Sequence, residues 1–342
     1  MATQDVYERP LQDLRISVTD RCNFRCVYCM PKEIFGSDYP FLARRELLSF
    51  EEIVRLTRVF AEQGVRKLRI TGGEPLVRKD LPELIEMLAN IDGIDDITLT
   101  TNATLLPQHA QSLVDAGLNR VTVSLDAIDD DVFKAINDVN YPVQPVLDGI
   151  AAASEVGLNP IKVNMVVKRG MNDGQIVPMA AHFRNTPHIL RYIEFMDVGN
   201  SNGWRLDDVI TAAQIRDTIN AEWPIAPLDP NYTGEVASRY RYADGGGEIG
   251  IISSVSEPFC STCTRARLAS QGQLFTCLFA GKGHDLRTPL RDPSVDDAQL
   301  AAIIRDIWGN RRDRYSEMRT NNTAPVEATA LQWKVEMSHV GG

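Results

Sequence analysis

An α/β fold built on a parallel sheet is the architecture that this sequence predicts. Six short apolar strand signals lie between residues 14 and 196, with helical signals between them. Strands joined through helices pair in parallel by right-handed crossovers. The chain has 342 residues, 44% of them hydrophobic, enough to bury a large core in one body or two. Periodicity leaves open whether the sheet stays flat and doubly wound or curls into a barrel. In either form, ligands sit at the carboxyl ends of the strands.

Leu14, Ile16 and Val18 alternate with Arg15, Ser17 and Thr19, a strand that feeds directly into a loop holding Cys22, Cys26 and Cys29. Ser49-x-x-Glu52 is a capping box that opens an amphipathic helix to about residue 62, closed by Gly64. The next strand covers 67–71 and runs at once into Gly72-Gly73-Glu74-Pro75. Helices are predicted over 81–90 and 107–116, the second closed by Gly117, with strands over 96–101 and 120–125. A helix over 146–156 stops at Gly157, and a strand over 161–167, a helix over 174–184 and a strand over 190–196 complete the series. After about Asn200 the pattern changes to Pro224, Pro227 and Pro230, a Gly245-Gly246-Gly247 run and short strand signals at 238–242 and 249–253. A boundary there divides 1–200 from 201–342. Residues 265–278 read as a hairpin turning at Gln271-Gly272.

The formal charge of −10 excludes a general nucleic-acid coat, so any phosphate site is local. No apolar run is long enough to span a membrane, and MATQDVYERPLQDL carries no signal-peptide pattern. Six cysteines fall into two groups of three, and a chain of this length needs no disulfide staples, so they read as ligands in a reducing, cytoplasmic compartment. Cys22-x3-Cys26-x2-Cys29 on one loop can hold a four-iron cluster and leave one iron open to another ligand. Zinc would want a fourth Cys or His, and the loop has none before His109.

Cys260-x2-Cys263-x13-Cys277 is again three ligands, and the hairpin brings Cys277 back toward Cys263. A zinc site completed by His284 is the alternative. Arg265 and Arg267, two apart on the predicted strand, project from one face beside these cysteines. They offer forked donors to phosphate oxygens, although a solvated face is the ordinary reading of two arginines. Arg15 and Arg69 also lie on strands, where an unpaired buried charge is costly, so several arginines near one mouth imply an anionic substrate. Gly72 and Gly73 let a ligand approach bare backbone, or simply make a tight turn. Thr100, Ser124, Lys162 and Met196 lie at or near the carboxyl ends of their strands, where each could equally satisfy local backbone or pack, and Met196 by itself suits packing better.

With Tyr28 just before its third cysteine, the first motif resembles the signature of the radical S-adenosylmethionine (radical SAM) enzymes. Together with RITGGEPL, TTNATLL, SLDA, YIEFMDVG, the C-x2-C-x-R-x-R segment and the terminal Gly341-Gly342, it is similar, over residues 11–342, to the branch of that family that begins molybdenum cofactor biosynthesis from GTP. The resemblance implies a partial (β/α)6 TIM-like barrel with a carboxyl-terminal extension carrying a second iron–sulfur cluster, two 4Fe-4S clusters in all. It implies that Cys22, Cys26 and Cys29 hold the catalytic cluster, and that Tyr28, Gly73, Ser124 and Met196 contact S-adenosyl-L-methionine. By the same resemblance Cys260, Cys263 and Cys277 hold the second cluster, beside the guanine. Arg15, Arg69, Thr100, Lys162, Arg265, Ala266 and Arg267 then surround the nucleotide, Ala266 through its backbone alone.

The implied chemistry is reductive cleavage of S-adenosylmethionine, removal of the ribose 3′ hydrogen of GTP, and closure onto guanine C8 to give (8S)-3′,8-cyclo-7,8-dihydroguanosine 5′-triphosphate. The implied partners are GTP, an electron donor of unknown identity and a downstream cyclic pyranopterin monophosphate synthase. No nucleic acid or membrane is implied, and a homodimer stays open. The terminal Gly341-Gly342 is expected to reach the nucleotide-binding arginines. A peptide-modifying radical SAM enzyme with an auxiliary cluster is the alternative, and a non-catalytic iron–sulfur electron carrier is a third reading.

Overall fold

The computed structural model describes residues 2–321 and 334–341. It is an α/β protein with a parallel-rich sheet. The strands β1 (Asp13–Ser17), β2 (Lys67–Thr71), β3 (Asp96–Thr101), β4 (Arg120–Ser124), β5 (Lys162–Val167) and β6 (Ile189–Glu194) pair in sequence order, each parallel to the next. Between them run α1 (Phe50–Glu62), α2 (Leu81–Ala89), α3 (Leu106–Asp115), α4 (Asp130–Asn137), α5 (Gln144–Glu155) and α6 (Ile176–Phe183). The capping box forms as predicted: Ser49 Oγ accepts from the Glu52 amide at 3.2 Å, and the Glu52 carboxylate accepts from the Ser49 amide at 2.8 Å.

Beyond residue 200, α7 (Ala212–Glu222), β7 (Ile225–Leu228), β8 (Ser238–Tyr242) and β9 (Glu248–Ile252) precede β10 (Arg265–Leu268), β11 (Gln273–Phe275) and β12 (His284–Asp285). The sheet order is β12-β11-β10-β1-β2-β3-β4-β5-β6-β9-β8-β7. β10 pairs with β1 and β9 with β6, both in parallel, so the later chain extends the sheet at both edges. Among the described residues, four helices follow: α8 (Arg287–Arg291), α9 (Asp297–Gly309), α10 (Tyr315–Asn321) and α11 (Met337–Val340). α9, opened by an Asp296–Gln299 capping box, packs on α1.

Strand alternation sorts the two faces of the sheet. Ala266, Leu14, Leu68 and Ile97 stand in register across β10, β1, β2 and β3, all buried in the core beneath the helices. One position on, Arg267, Arg15 and Arg69 stand in register on the other face.

Two differences from the sequence expectation have local causes. α4 was not expected; Asp129 caps it, accepting from the Asp131 and Val132 amides, and Phe133 and Ile136 are buried. β6 stops at Glu194 instead of running to 196, because the Phe195 and Met196 carbonyls accept from the Trp204 and Asn202 side chains in place of a strand. Among the described residues, no helix is long and apolar enough to cross a membrane.

Candidate active site

One cavity of about 340 Å³ runs from the carboxyl ends of the strands, where the first cysteine set lies, to their amino ends, where Asp13, Lys67, Lys162 and the second cysteine set lie; Lys162, expected near a carboxyl end, is instead the first residue of β5. The first set sits on the loop after β1. That loop rests directly on the turn after β2: a Cβ on Gly73 would lie 2.3 Å from the Arg21 carbonyl oxygen, and one on Gly72 2.5 Å from that of Thr19. Only glycines allow this approach. Buried Glu74, next in the turn, accepts from Thr101 Oγ1 at 2.7 Å, from the Asn102 amide at 2.7 Å and from the Leu76 amide at 3.0 Å. Asn102 in turn donates to Asn23 Oδ1 at 2.7 Å, inside the cysteine loop. Burial pushes the Glu74 carboxyl up to about 7.

Burial likewise raises the thiol of Cys22 to about 12 and those of Cys26 and Cys29 upward. Such thiols need a strong positive centre to become ligating thiolates, and a metal cluster is one. Three soft donors on one loop, all lining one cavity, fit an iron–sulfur group by their chemistry. Tyr28, between Cys26 and Cys29, donates its hydroxyl to Asp126 Oδ2 at 2.6 Å. Gly73, Ser124 and Met196 line the same cavity.

Of the second set, Cys260 lies in a 3-10 turn, Cys263 just before β10, and Cys277 just after β11. Arg9 Nη1 donates to the Cys260 carbonyl at 2.8 Å, which fixes the turn from outside. Burial would raise the Cys263 thiol, but Arg265 and Arg311 outweigh it and bring its pKa to about 6, while burial lifts Cys277 to about 11. A thiolate stabilised beforehand by two guanidiniums fits a ligand. His284, which a zinc site would need, is exposed on β12 and opens to a separate surface cleft.

Arg15, Arg69, Thr100, Lys162, Arg265 and Arg267 all line the cavity. Ala266 does not; its side chain is fully buried in the core on the opposite face. Arg69 Nη1 donates to Thr100 Oγ1 at 3.0 Å and to Thr122 Oγ1 at 3.2 Å, so Thr100 holds an arginine in place. Arg191 and Lys67, which sequence reasoning missed, join this group on the cavity wall. Burial, then neighbouring cations, lower Lys162 to about 8, with Arg191 the nearest cause among the charges. Burial and then Arg69 bring Arg191 to about 9, and burial and then Arg267 lower Arg15. These wall cations crowd one another in a protein that is otherwise acidic.

The carboxyl-terminal tail also enters this region. Lys334 Nζ donates to Asp197 Oδ2 at 2.6 Å, and Glu336 accepts from the Asn200 amide at 3.0 Å and from Ser201 Oγ at 2.7 Å. Val340 packs with Ala269 and Phe275. Gly341, at φ +70°, lies so close to β2 that a Cβ would sit 2.1 Å from Thr71 Cγ2, and its carbonyl accepts from Arg267 Nη1. Gly342 lies outside the described residues.

Comparison with known proteins agrees with this geometry. Residues 16–183 match the Radical SAM superfamily model, and 188–317 match Molybdenum Cofactor Synthesis C. The chain is 52% identical over 357 residues to the GTP 3′,8-cyclase of Acidothermus cellulolyticus, covering 99% of both chains. It is 50% identical over 340 residues to that of Staphylococcus epidermidis, covering 99% of this chain and 98% of the relative. Against that of Xanthomonas campestris pv. campestris, identity is 52% over 327 residues and 95% of each. In fold it is similar to Streptococcus suis SuiB bound to S-adenosylmethionine, with a TM-score of 0.60 at 15% identity over 86% of this chain and 68% of that one. A cysteine loop seated on a double-glycine turn, a second cysteine set in the same cavity, and near-full-length identity lead to one conclusion: the chain belongs to the GTP 3′,8-cyclase family of radical SAM enzymes.

Proposed function

We infer that this enzyme converts GTP to (8S)-3′,8-cyclo-7,8-dihydroguanosine 5′-triphosphate, the first step of molybdenum cofactor biosynthesis. We further propose that its sheet curls as a partial (β/α)6 barrel and that its carboxyl-terminal extension carries a second cluster. The observation that carries the reading is the single cavity lined by two three-cysteine sets and by a wall of crowded cations.

Bound on Cys22, Cys26 and Cys29, a 4Fe-4S cluster with S-adenosylmethionine would supply a one-electron cleavage that yields a carbon radical able to take hydrogen from an unactivated C–H bond. Tyr28, Gly73, Ser124 and Met196 hold the cofactor beside that loop. Asp126 fixes Tyr28, and Glu74 ties the glycine turn to the cysteine loop through Asn102.

The triphosphate requires positive charge that is otherwise poorly compensated. Arg69, Lys162 and Arg191 supply it, beside Lys67, which already faces Asp13 and Asp96, and each charge-assisted contact contributes roughly 1.5–3 kcal/mol. Arg265 and Arg267 were both expected at the triphosphate, and we propose both for the other end instead: Arg267 Nη1 donates to the Gly341 carbonyl, so the tail orders it. Arg15, Arg265 and Arg267 then serve the nucleoside end, next to Cys260, Cys263 and Cys277. Ala266, turned into the core, contributes backbone only. Holding the ribose C3′–H against one face of the cavity is what makes the reaction regioselective, because a reactive radical does not discriminate by itself. A deep cavity also keeps rival hydrogen donors away.

An electron donor and a cyclic pyranopterin monophosphate synthase that consumes the product complete the proposal. The test is anaerobic incubation of reconstituted enzyme with GTP, S-adenosylmethionine and dithionite, followed by mass spectrometry. A cyclised nucleotide isomeric in mass with GTP and formed alongside 5′-deoxyadenosine supports the reading; deoxyadenosine without any change in GTP overturns it.

A further inference from the structure

The second cysteine set rests on a buried charge network that no step above uses. Arg311, just beyond α9 and only 4% exposed, donates from Nη1 to the Cys263 carbonyl at 2.8 Å and from Nη2 to Cys263 Sγ at 3.2 Å. Asp5 accepts from Arg311 Nη1 at 3.3 Å and from Arg9 Nε at 2.6 Å. Arg9 donates from Nη1 to the carbonyls of Cys260 at 2.8 Å and Asp313 at 2.9 Å. Thr276, which precedes Cys277, donates to Asp313 Oδ2 at 2.5 Å. Trp308 braces both arginines: its indole N–H donates to the Arg9 carbonyl at 3.1 Å, and Arg311 Cζ stands 4.5 Å from its ring centroid. All three cysteine positions are therefore tied to one network.

The charges in that network are paired unevenly, since both guanidiniums lean on Asp5 while Asp313 is only partly buried. Two buried guanidiniums share the carboxylate of Asp5, with Asp313 Oδ2 3.6 Å from Arg311 Nε, and Arg9 Nη2 and Arg311 Nε have no hydrogen-bond partner. Buried guanidinium N–H groups left without an acceptor are costly, so the network suits an anionic neighbour, and a cluster on three thiolates is one. We infer that Arg311 is a positioning residue for the second cluster, an inference that rests on assigning Cys260, Cys263 and Cys277 to such a cluster. Its Nη2–H fixes the Cys263 side chain toward the cavity. It also raises the reduction potential, because a donor and a positive charge at a ligating sulfur stabilise the more negative, reduced form. Asp5 aims the guanidinium.

The full chain with Cys22, Cys26 and Cys29 all changed to Ala isolates the second set. In that background the unchanged network, Arg311→Lys, and the double variant Asp5→Asn with Arg311→Gln are reconstituted anaerobically. The double change removes one charge of each sign, and the amide oxygen that replaces the carboxylate can still accept from Arg9 Nε. Iron and sulfide are counted, circular dichroism checks the fold, and an EPR-monitored redox titration gives the midpoint. At the parent's midpoint, the double variant should show a reduced-to-oxidised ratio at least tenfold lower, about 59 mV for a one-electron couple, with Arg311→Lys in between. Failure of a normally folded variant to retain iron also supports positioning. An unchanged midpoint and iron content in both variants overturn the inference. No iron in the unchanged-network background, with one cluster still on the wild-type chain, would instead overturn the second-cluster assignment itself.

Discussion

If Lys162 meets the nucleotide as proposed, it ties binding to pH. Burial, then Arg191 and other cations, lower its pKa to about 8, so the ligand-free enzyme loses this charge as pH rises through that value. A triphosphate binds the protonated form. The KM for GTP is therefore expected to stay level below about pH 7 and to climb above about pH 8, and Lys162→Arg should flatten the rise; an equal rise in both proteins would remove Lys162 from the site. Arg191→Met should raise the KM roughly tenfold to a hundredfold with little change in S-adenosylmethionine affinity, as loss of one charge-assisted contact predicts. Isothermal titration with GTP and with S-adenosylmethionine measures both. Arg15, Arg69, Arg265 and Arg267 were legible because two-residue alternation assigns each to a face. Arg191 was not, because β6 carries Arg191 on its cavity face and Glu194 on its helix face, so charge on both sides erases the alternation. Arg311 follows a helix in a loop, and only tertiary packing brings it to Cys263.

The tail is the element whose local sequence says least and whose packing says most. At Gly341, a left-handed backbone and the contact with Thr71 both bar a side chain. Gly341→Ala, or removal of residues 341–342, should sharply lower cyclised nucleotide while reductive cleavage to deoxyadenosine persists. A peptide of residues 332–342, added in trans, should restore part of the activity to the deletion. Full activity in the deletion would make the Arg267–Gly341 contact incidental. Elsewhere, strand–helix alternation made β1 to β6 and most of their helices readable in advance. α4 was missed because three consecutive aspartates obscure its apolar stripe, although Asp129 is a good cap. α9 had a readable signal in Asp296-x-x-Gln299. That β9 and β10 join opposite edges of the sheet was not readable, since pairing between strands distant in sequence leaves no local pattern.

Across the molecule, the two cysteine sets share a cavity yet sit in different electrostatic surroundings. Burial raises the first set's thiols and that of Cys277, whereas two guanidiniums, with no counterpart of that strength beside the first set, outweigh burial at Cys263 and hold its thiol low. That contrast supports a division of labour in which the first set serves cleavage and the second holds substrate. Cys26→Ala should abolish deoxyadenosine formation. Cys263→Ala should retain some uncoupled cleavage and lose the cyclised nucleotide; complete loss of cleavage, with the first cluster intact by iron analysis, would refute the division. The most direct test is to supply GTP deuterated at ribose C3′ and follow the label by mass spectrometry. If the cavity presents C3′–H to the cofactor held beside Cys22, Cys26 and Cys29, 5′-deoxyadenosine should gain one deuterium and the cyclised nucleotide should lack it. Unlabelled deoxyadenosine together with fully deuterated nucleotide would contradict the account.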